Sequence, residues 1–371
     1  MKTKKKLIAS TAGKRILYIF IGVLIAVLIV FGSVYILYIY YSTGNEADDP
    51  RGFASIRGLN NAEDMVQIGD TKWILTGNLG DKSWKSGGLY FVDSDSLEWK
   101  KADIDFSGDA ADGYEEICDP ELFSSHGIAI KPIEENKYEV YAVNHGGRES
   151  VEIFDLTVND EEPVIVWKGS VPTPDGMTGN SVAPLSDGFL VTIPMMENNP
   201  GTFLGFLAGK PTGTVYKWTA QEGFREISGA VLAGNNGIAV SPDEKWAFIN
   251  GYSSRSVTRI SLEDDQADPV TVSLSFLPDN IRYSADGSLL VTGQDTNILT
   301  VVLLTNGTNI GVSPSDTAVI KLDPETMEVT EILNLPKFRA FGGGTTAIYV
   351  GNDLWISSFR AQRIMILPAA K

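Results

Sequence analysis

Cysteine and histidine are close to absent from the 371 residues: Cys118 stands alone, and His126 and His145 are the only histidines. A single thiol forms no intrachain disulfide, so the redox compartment stays open. The same scarcity argues against a structural zinc site, which draws its ligands from Cys and His. Long amphipathic helical patterns are scarce too. The apolar runs are short, rich in Val, Ile, Thr, Tyr and Trp, and interrupted by 37 glycines and 17 prolines, which favours strands and turns. Positive charge is thin beyond the N-terminus. The net charge is −17, yet Lys2, Lys4, Lys5, Lys6, Lys14 and Arg15 all precede residue 16, and without those six cations the remainder carries −23. Such a field repels nucleic acid and suits either a solvated extracytoplasmic surface or a cation-binding protein.

One long apolar run is present. Ile16 to Tyr41 is 26 residues without a charge, flanked by Lys14 and Arg15 on one side and by Glu46, Asp48 and Asp49 on the other. At about 1.5 Å per residue, a helix of this length exceeds a hydrocarbon core of about 30 Å. Tyr35, Tyr38, Tyr40 and Tyr41 suit an outer aromatic belt, and the basic flank puts the N-terminal end in the cytoplasm. A cleaved signal peptide would carry roughly 7–15 apolar residues and a small-residue cleavage site; this run is too long. The expected order is a basic cytoplasmic tail (1–15), a transmembrane signal anchor (16–41), a linker (42–54) and an extracytoplasmic domain (55–371).

That domain repeats one phrase, in which a polar residue precedes an apolar dipeptide, a turn with Asp, Asn or Gly follows, and an apolar strand comes next. Six copies begin near Glu63, His126, Asn180, Asn236, Asn280 and Thr345. A period of roughly fifty residues with strand alternation and hairpin turns inside each copy is the pattern of propeller blades. An all-β, six-bladed propeller is therefore expected. The innermost strands of a propeller begin at one face of the central channel, so the polar residues that open the repeats converge on its mouth. A hard cation such as calcium takes about six to eight oxygens. Glu63, Asn180, Asn236, Asp279 and Asn280 offer five, two of them negative, and leave room for water or a substrate oxygen.

From Ser125 to Leu156 the chain reads SHGIAIKPIEENKYEVYAVNHGGRESVEIFDL, and AED at 62–64, GNS at 179–181, NNGI at 235–238 and PDNI at 278–281 surround it in order. These phrases resemble the paraoxonase/arylesterase family over roughly residues 55–371. The resemblance implies a calcium-dependent hydrolase of lactones and aryl esters, with a catalytic calcium on Glu63, Asn180, Asn236, Asp279 and Asn280 and a dyad of His126 and His145. His126 is expected to be the general base for an attacking water, His145 its partner, and Asp279 a second candidate base. The resemblance also implies a second, structural calcium, for which Asp64 and the Ile128 carbonyl match. Ser181, however, replaces the Asp that completes that site. Ring closure, without a disulfide, is expected from pairing between residues 53–59 and the last blade.

The apolar stretch 200–213 is too short for a membrane span and is expected to roof the site, with Phe203, Leu204, Phe206 and Leu207 as substrate wall. The acidic stretch 109–119 lacks EF-hand spacing and reads as a solvated loop. Asn306-Gly307-Thr308 is a glycosylation sequon. Two alternatives share the propeller: a gluconolactonase- or regucalcin-like sugar lactonase, which does not depend on the histidine pair, and a non-catalytic, strictosidine-synthase-like calcium-binding propeller.

Overall fold

The computed structural model describes residues 2–42, 48–80, 87–117, 119–159, 162–197, 199–305, 313 and 315–368. Cys118 and the 306–308 sequon fall outside the described residues. Six antiparallel sheets follow one another around a ring, each built from one copy of the repeat. Their innermost strands are Ala62–Gln67, Ser125–Glu134, Val182–Leu185, Asn235–Val240, Leu277–Tyr283 and Gly344–Val350. Five sheets have four strands. The second gains a fifth, because Ile104–Asp105 pairs in parallel with its outer edge.

The second strands are packed on both faces by neighbouring blades. They are therefore buried almost end to end and mostly apolar, as in Trp73–Asn78 and Trp246–Gly251. Outer strands such as Val270–Ser273 are largely exposed. The hydrophobic core is consequently six wedges, one between each pair of neighbouring blades.

The ring closes as expected from the sequence. Ala54–Arg57 pairs antiparallel with Arg363–Leu367, from Ala54 opposite Ile366 to Arg57 opposite Arg363, and completes the sixth blade with a strand from the other end of the domain. Edge pairing replaces a covalent latch. Asp109, Asp112, Glu115 and Glu116 are exposed, as expected for a solvated acidic loop.

Three helices interrupt the strands: α1 (Lys2–Ser42), α2 (Pro200–Leu207) and α3 (Ile298–Thr305). Within α1, Lys14–Ser33 has a mean hydropathy of 2.8 and is long and apolar enough to cross a membrane. Helices α2 and α3 both connect the second and third strands of a blade, α2 in the third and α3 in the fifth. Each begins at an Asn-x-x-Thr cap: Asn199 Oδ1 accepts the Thr202 N–H at 3.0 Å, and Asn297 Oδ1 accepts that of Thr300 at 2.9 Å.

Candidate active site

In five of the six blades the mouth residue sits where a strand breaks register. The inner-to-second-strand pairing slips between Ala62 and Asp64, Ser125 and Ile128, Asn235 and Ile238, Pro278 and Ile281, and Gly344 and Ala347. Glu63, His126, Asn236, Asp279 with Asn280, and Thr345 are the residues inside those slips. A bulge releases a side chain from the pleat and re-aims it, which is why five blades point a polar group at the axis. In the third blade Asn180 does so just ahead of its strand, its N–H bonded to Thr192 O at 2.9 Å. Two glycines let neighbouring blades close on this ring. A β-carbon on Gly127 would lie 2.5 Å from the Asn180 carbonyl, and one on Gly237 would lie 2.4 Å from that of Asp279.

The ring of polar groups is buried and incompletely satisfied. Asn280 Nδ2 donates to Glu63 Oε1 at 2.9 Å, and Gln294 Nε2 donates to Asp279 Oδ2 at 2.7 Å. Glu63 Oε2, Asn236 Oδ1 and Asn280 Oδ1 are buried with no hydrogen-bond partner. Three orphaned acceptor oxygens at one place, beside two carboxylates, are costly in a folded protein unless something positive binds there. Among the described residues, no group of three or more His, Cys, Asp or Glu side chains has metal-holding geometry. The mouth reaches its oxygen count through amides instead, which suits a hard cation. The carboxyls carry the same signature. Burial raises the pKa of Glu63 well above the usual range, and the nearby Asp279 and Asp64 raise it further. Burial pushes Asp279 up to about 7.

The two histidines meet edge to face, with His126 Nδ1 2.8 Å from His145 Nε2. Behind them, His145 Nδ1 is 2.8 Å from Glu149 Oε2. A carboxylate only accepts, so His145 donates from Nδ1 and accepts at Nε2. His126 must then donate from Nδ1, which leaves its Nε2 lone pair facing the mouth. That nitrogen lies 3.4 Å from Asn180 Nδ2 and 3.8 Å from Glu63 Oε1. Burial, with His145 second, lowers the His126 pKa well below the imidazole norm, so the ring is neutral at neutral pH. The turn that presents Glu149 is tied by Asn144, whose Nδ2 donates to Gly146 O at 2.9 Å and Arg148 O at 3.1 Å.

A family model named Arylesterase matches residues 77–334. The chain belongs to the arylesterase family. Membership supports ester or lactone hydrolysis in general. Similar solved structures include a protein of unknown function from Bacteroides thetaiotaomicron, at 11% identity and a TM-score of 0.51, covering 84% of this chain and 74% of that one. The calcium-binding protein regucalcin from Agrobacterium tumefaciens has a TM-score of 0.49 at 11% identity, covering 85% and 93%. Virginiamycin B lyase from Staphylococcus aureus has 0.46 at 10%, covering 86% and 99%. No curated protein matches the sequence.

The mouth opens into a pocket of about 220 Å³, lined by Glu63, His126, Asn180, Asn236 and Asp279 at its floor. Its walls are apolar. Phe206 of α2 stacks on Tyr252 with ring centroids 6.2 Å apart, and Ile298, Val301 and Val302 of α3 face it. Of the four residues expected to form a substrate wall, Phe206 lines this pocket. Phe203, Leu204 and Leu207 do not line the pocket, and Leu204 is 64% exposed, because a helix turns only one stripe inward. A larger hollow of about 580 Å³ around Lys72, Glu135 and Asn159 lies between the first two blades, and none of its polar side chains is buried without a partner.

The residues expected to hold a second calcium do not fit one. Asp64 is fully buried, but Arg282 Nη2 donates to its Oδ2 and also to Ile128 O at 2.7 Å. A guanidinium occupies the place.

Proposed function

We propose that this chain is a calcium-dependent lactonase or arylesterase that works at the channel mouth on small esters or lactones. The observation that carries this is the convergence, in one pocket of about 220 Å³, of the unpartnered Glu63 Oε2 and Asn236 Oδ1 with a neutral histidine whose Nε2 faces them beside Asn180. Glu63, Asn180, Asn236, Asp279 and Asn280 would hold the ion. Bound there, calcium supplies a Lewis acid for the substrate carbonyl and for the negative charge that develops on its oxygen. The residues supply the rest. His126 Nε2 takes the proton of the attacking water, His145 and Glu149 hold the imidazole in the tautomer that can accept it, and the same pair steadies the imidazolium that results. Asp279 is the second candidate base. Phe206, Tyr252 and α3 exclude water and hold the acyl or aryl group. The anchor α1 would keep the N-terminus in the cytoplasm and the propeller outside.

The test is turnover of a panel of lactones and aryl esters by the full chain in detergent, with and without chelator. Calcium-dependent turnover supports the proposal. Tight calcium binding with no turnover on any substrate would favour a binding module instead.

A further inference from the structure

Below the mouth, the channel contains a second charged centre. Asp64 follows Glu63 and is completely buried. Its carboxylate has four donors: Met65 N and Thr346 Oγ1 reach Oδ1, each at 2.9 Å, while Ile128 N, at 2.9 Å, and Arg282 Nη2 reach Oδ2. Four donors fill the lone pairs of two carboxylate oxygens, and none is left to ligate a metal.

Arg282 reaches this point from the fifth blade. It lies two residues beyond Asn280 on the same inner strand, so its side chain enters the channel one step deeper. Nη2 bridges Asp64 of the first blade and Ile128 O of the second, Nη1 returns to Ile281 O at 3.0 Å, and the side chain is only 12% exposed. The guanidinium roofs a cavity of about 200 Å³ at the far end of the channel, lined by Ile130, Val182, Ile238 and Tyr283. The opposite wall has no acid. Position 181 is Ser, and its buried Oγ has no partner.

The charges agree with this arrangement. Glu63, Asp64 and Asp279 bring three negative charges to the axis and Arg282 one positive, leaving two to balance. One divalent ion at the mouth neutralises the set; a second would overcharge it.

We infer that Arg282 is the fixed cation of the deep channel, standing where a second divalent ion would sit. The propeller therefore has one exchangeable metal position, and its lower half holds together without metal. The count of one rests on the proposed mouth site; the exclusion of metal from the deep end does not.

Equilibrium dialysis of the full chain in detergent against calcium, with metal counted by mass spectrometry, is paired with melting curves in chelator. The wild type should retain one calcium per chain and still unfold cooperatively when stripped. Arg282→Met should lower the melting temperature in chelator by about 10 °C, since it leaves Asp64 buried without its counter-charge. Joining Arg282→Ser with Ser181→Asp should raise the count from one to two. Two ions bound to the wild type, or loss of the fold on stripping, overturns the inference even if neither variant folds; so does an Arg282→Met protein that melts with the wild type. Zero ions would sink the mouth reading and leave the deep-end inference standing.

Discussion

His126 is basic at one atom only. Its Nδ1 is committed to His145, and His145 is committed to Glu149, so the whole relay points a single lone pair at the mouth. Glu149→Ala removes the acceptor that sets both tautomers. Turnover should fall roughly 10²-fold or more, with calcium affinity unchanged because Glu149 is not among the mouth oxygens; equal rates would show the relay to be idle. His126 was legible in the sequence because it opens a repeat. Glu149 was not, since it meets His145 only through a turn that Asn144 knots together, and spacing in a turn carries no direction. Arg282 was missed for a related reason: strand alternation says which way it points but not that Asp64 waits across the ring. The mouth carboxyls add a pH dependence. Glu63 and Asp279 have raised pKa values, so the metal-free fold binds more protons than the unfolded chain between about pH 4 and 7. In chelator the melting temperature should therefore fall as pH rises from 5 to 8, and calcium should abolish that fall. A metal-free melting temperature that climbs with pH contradicts this account of the mouth.

At the level of elements, register slips do most of the positioning. Five inner strands break pairing at the residue that faces the axis, and glycines after two of those residues let the next blade close in. Gly237→Ala would place a β-carbon 2.4 Å from Asp279 O. Because backbone rather than a flexible side chain must yield, a loss of about 1–3 kcal/mol in denaturant unfolding is expected, together with weaker calcium binding as Asp279 shifts. A variant as stable as the wild type with unaltered calcium affinity would show that the blades do not press together here. The repeats and their hairpins could be read from the chain, since alternation and Asp-Gly turns are local signals. Helix α3 could not. Its sequence ILTVVLLT is rich in β-branched residues and has the look of a strand, and it becomes a helix beside the pocket, capped by Asn297. The stretch 200–213 was expected to roof the site, but its composition did not reveal which of its apolar residues turn inward.

For the whole molecule, a ring divides its core into six wedges and leaves an axis that no wedge fills. Polar groups can collect on that axis at two depths, and the chain neutralises them differently. At depth it uses its own Arg282; at the mouth it leaves oxygens unpaired. The closing strand Ala54–Arg57 is the first strand after α1, so the segment that completes the sixth blade also lies on the chain's path from α1 to the ring. Closure and the long apolar helix were both legible, the first from the need to pair a free edge and the second from an uncharged run of 26 residues. The depth at which charge is neutralised was not, because it depends on side chains meeting across blades far apart in sequence. The central claim is that a cation and His126 act together at the mouth, and one pairing of measurements on His126→Gln tests it most directly: calcium affinity and turnover on the best lactone or aryl ester. The account predicts wild-type calcium affinity with turnover reduced about 10²–10⁴-fold. Near-normal turnover with calcium still bound would contradict it.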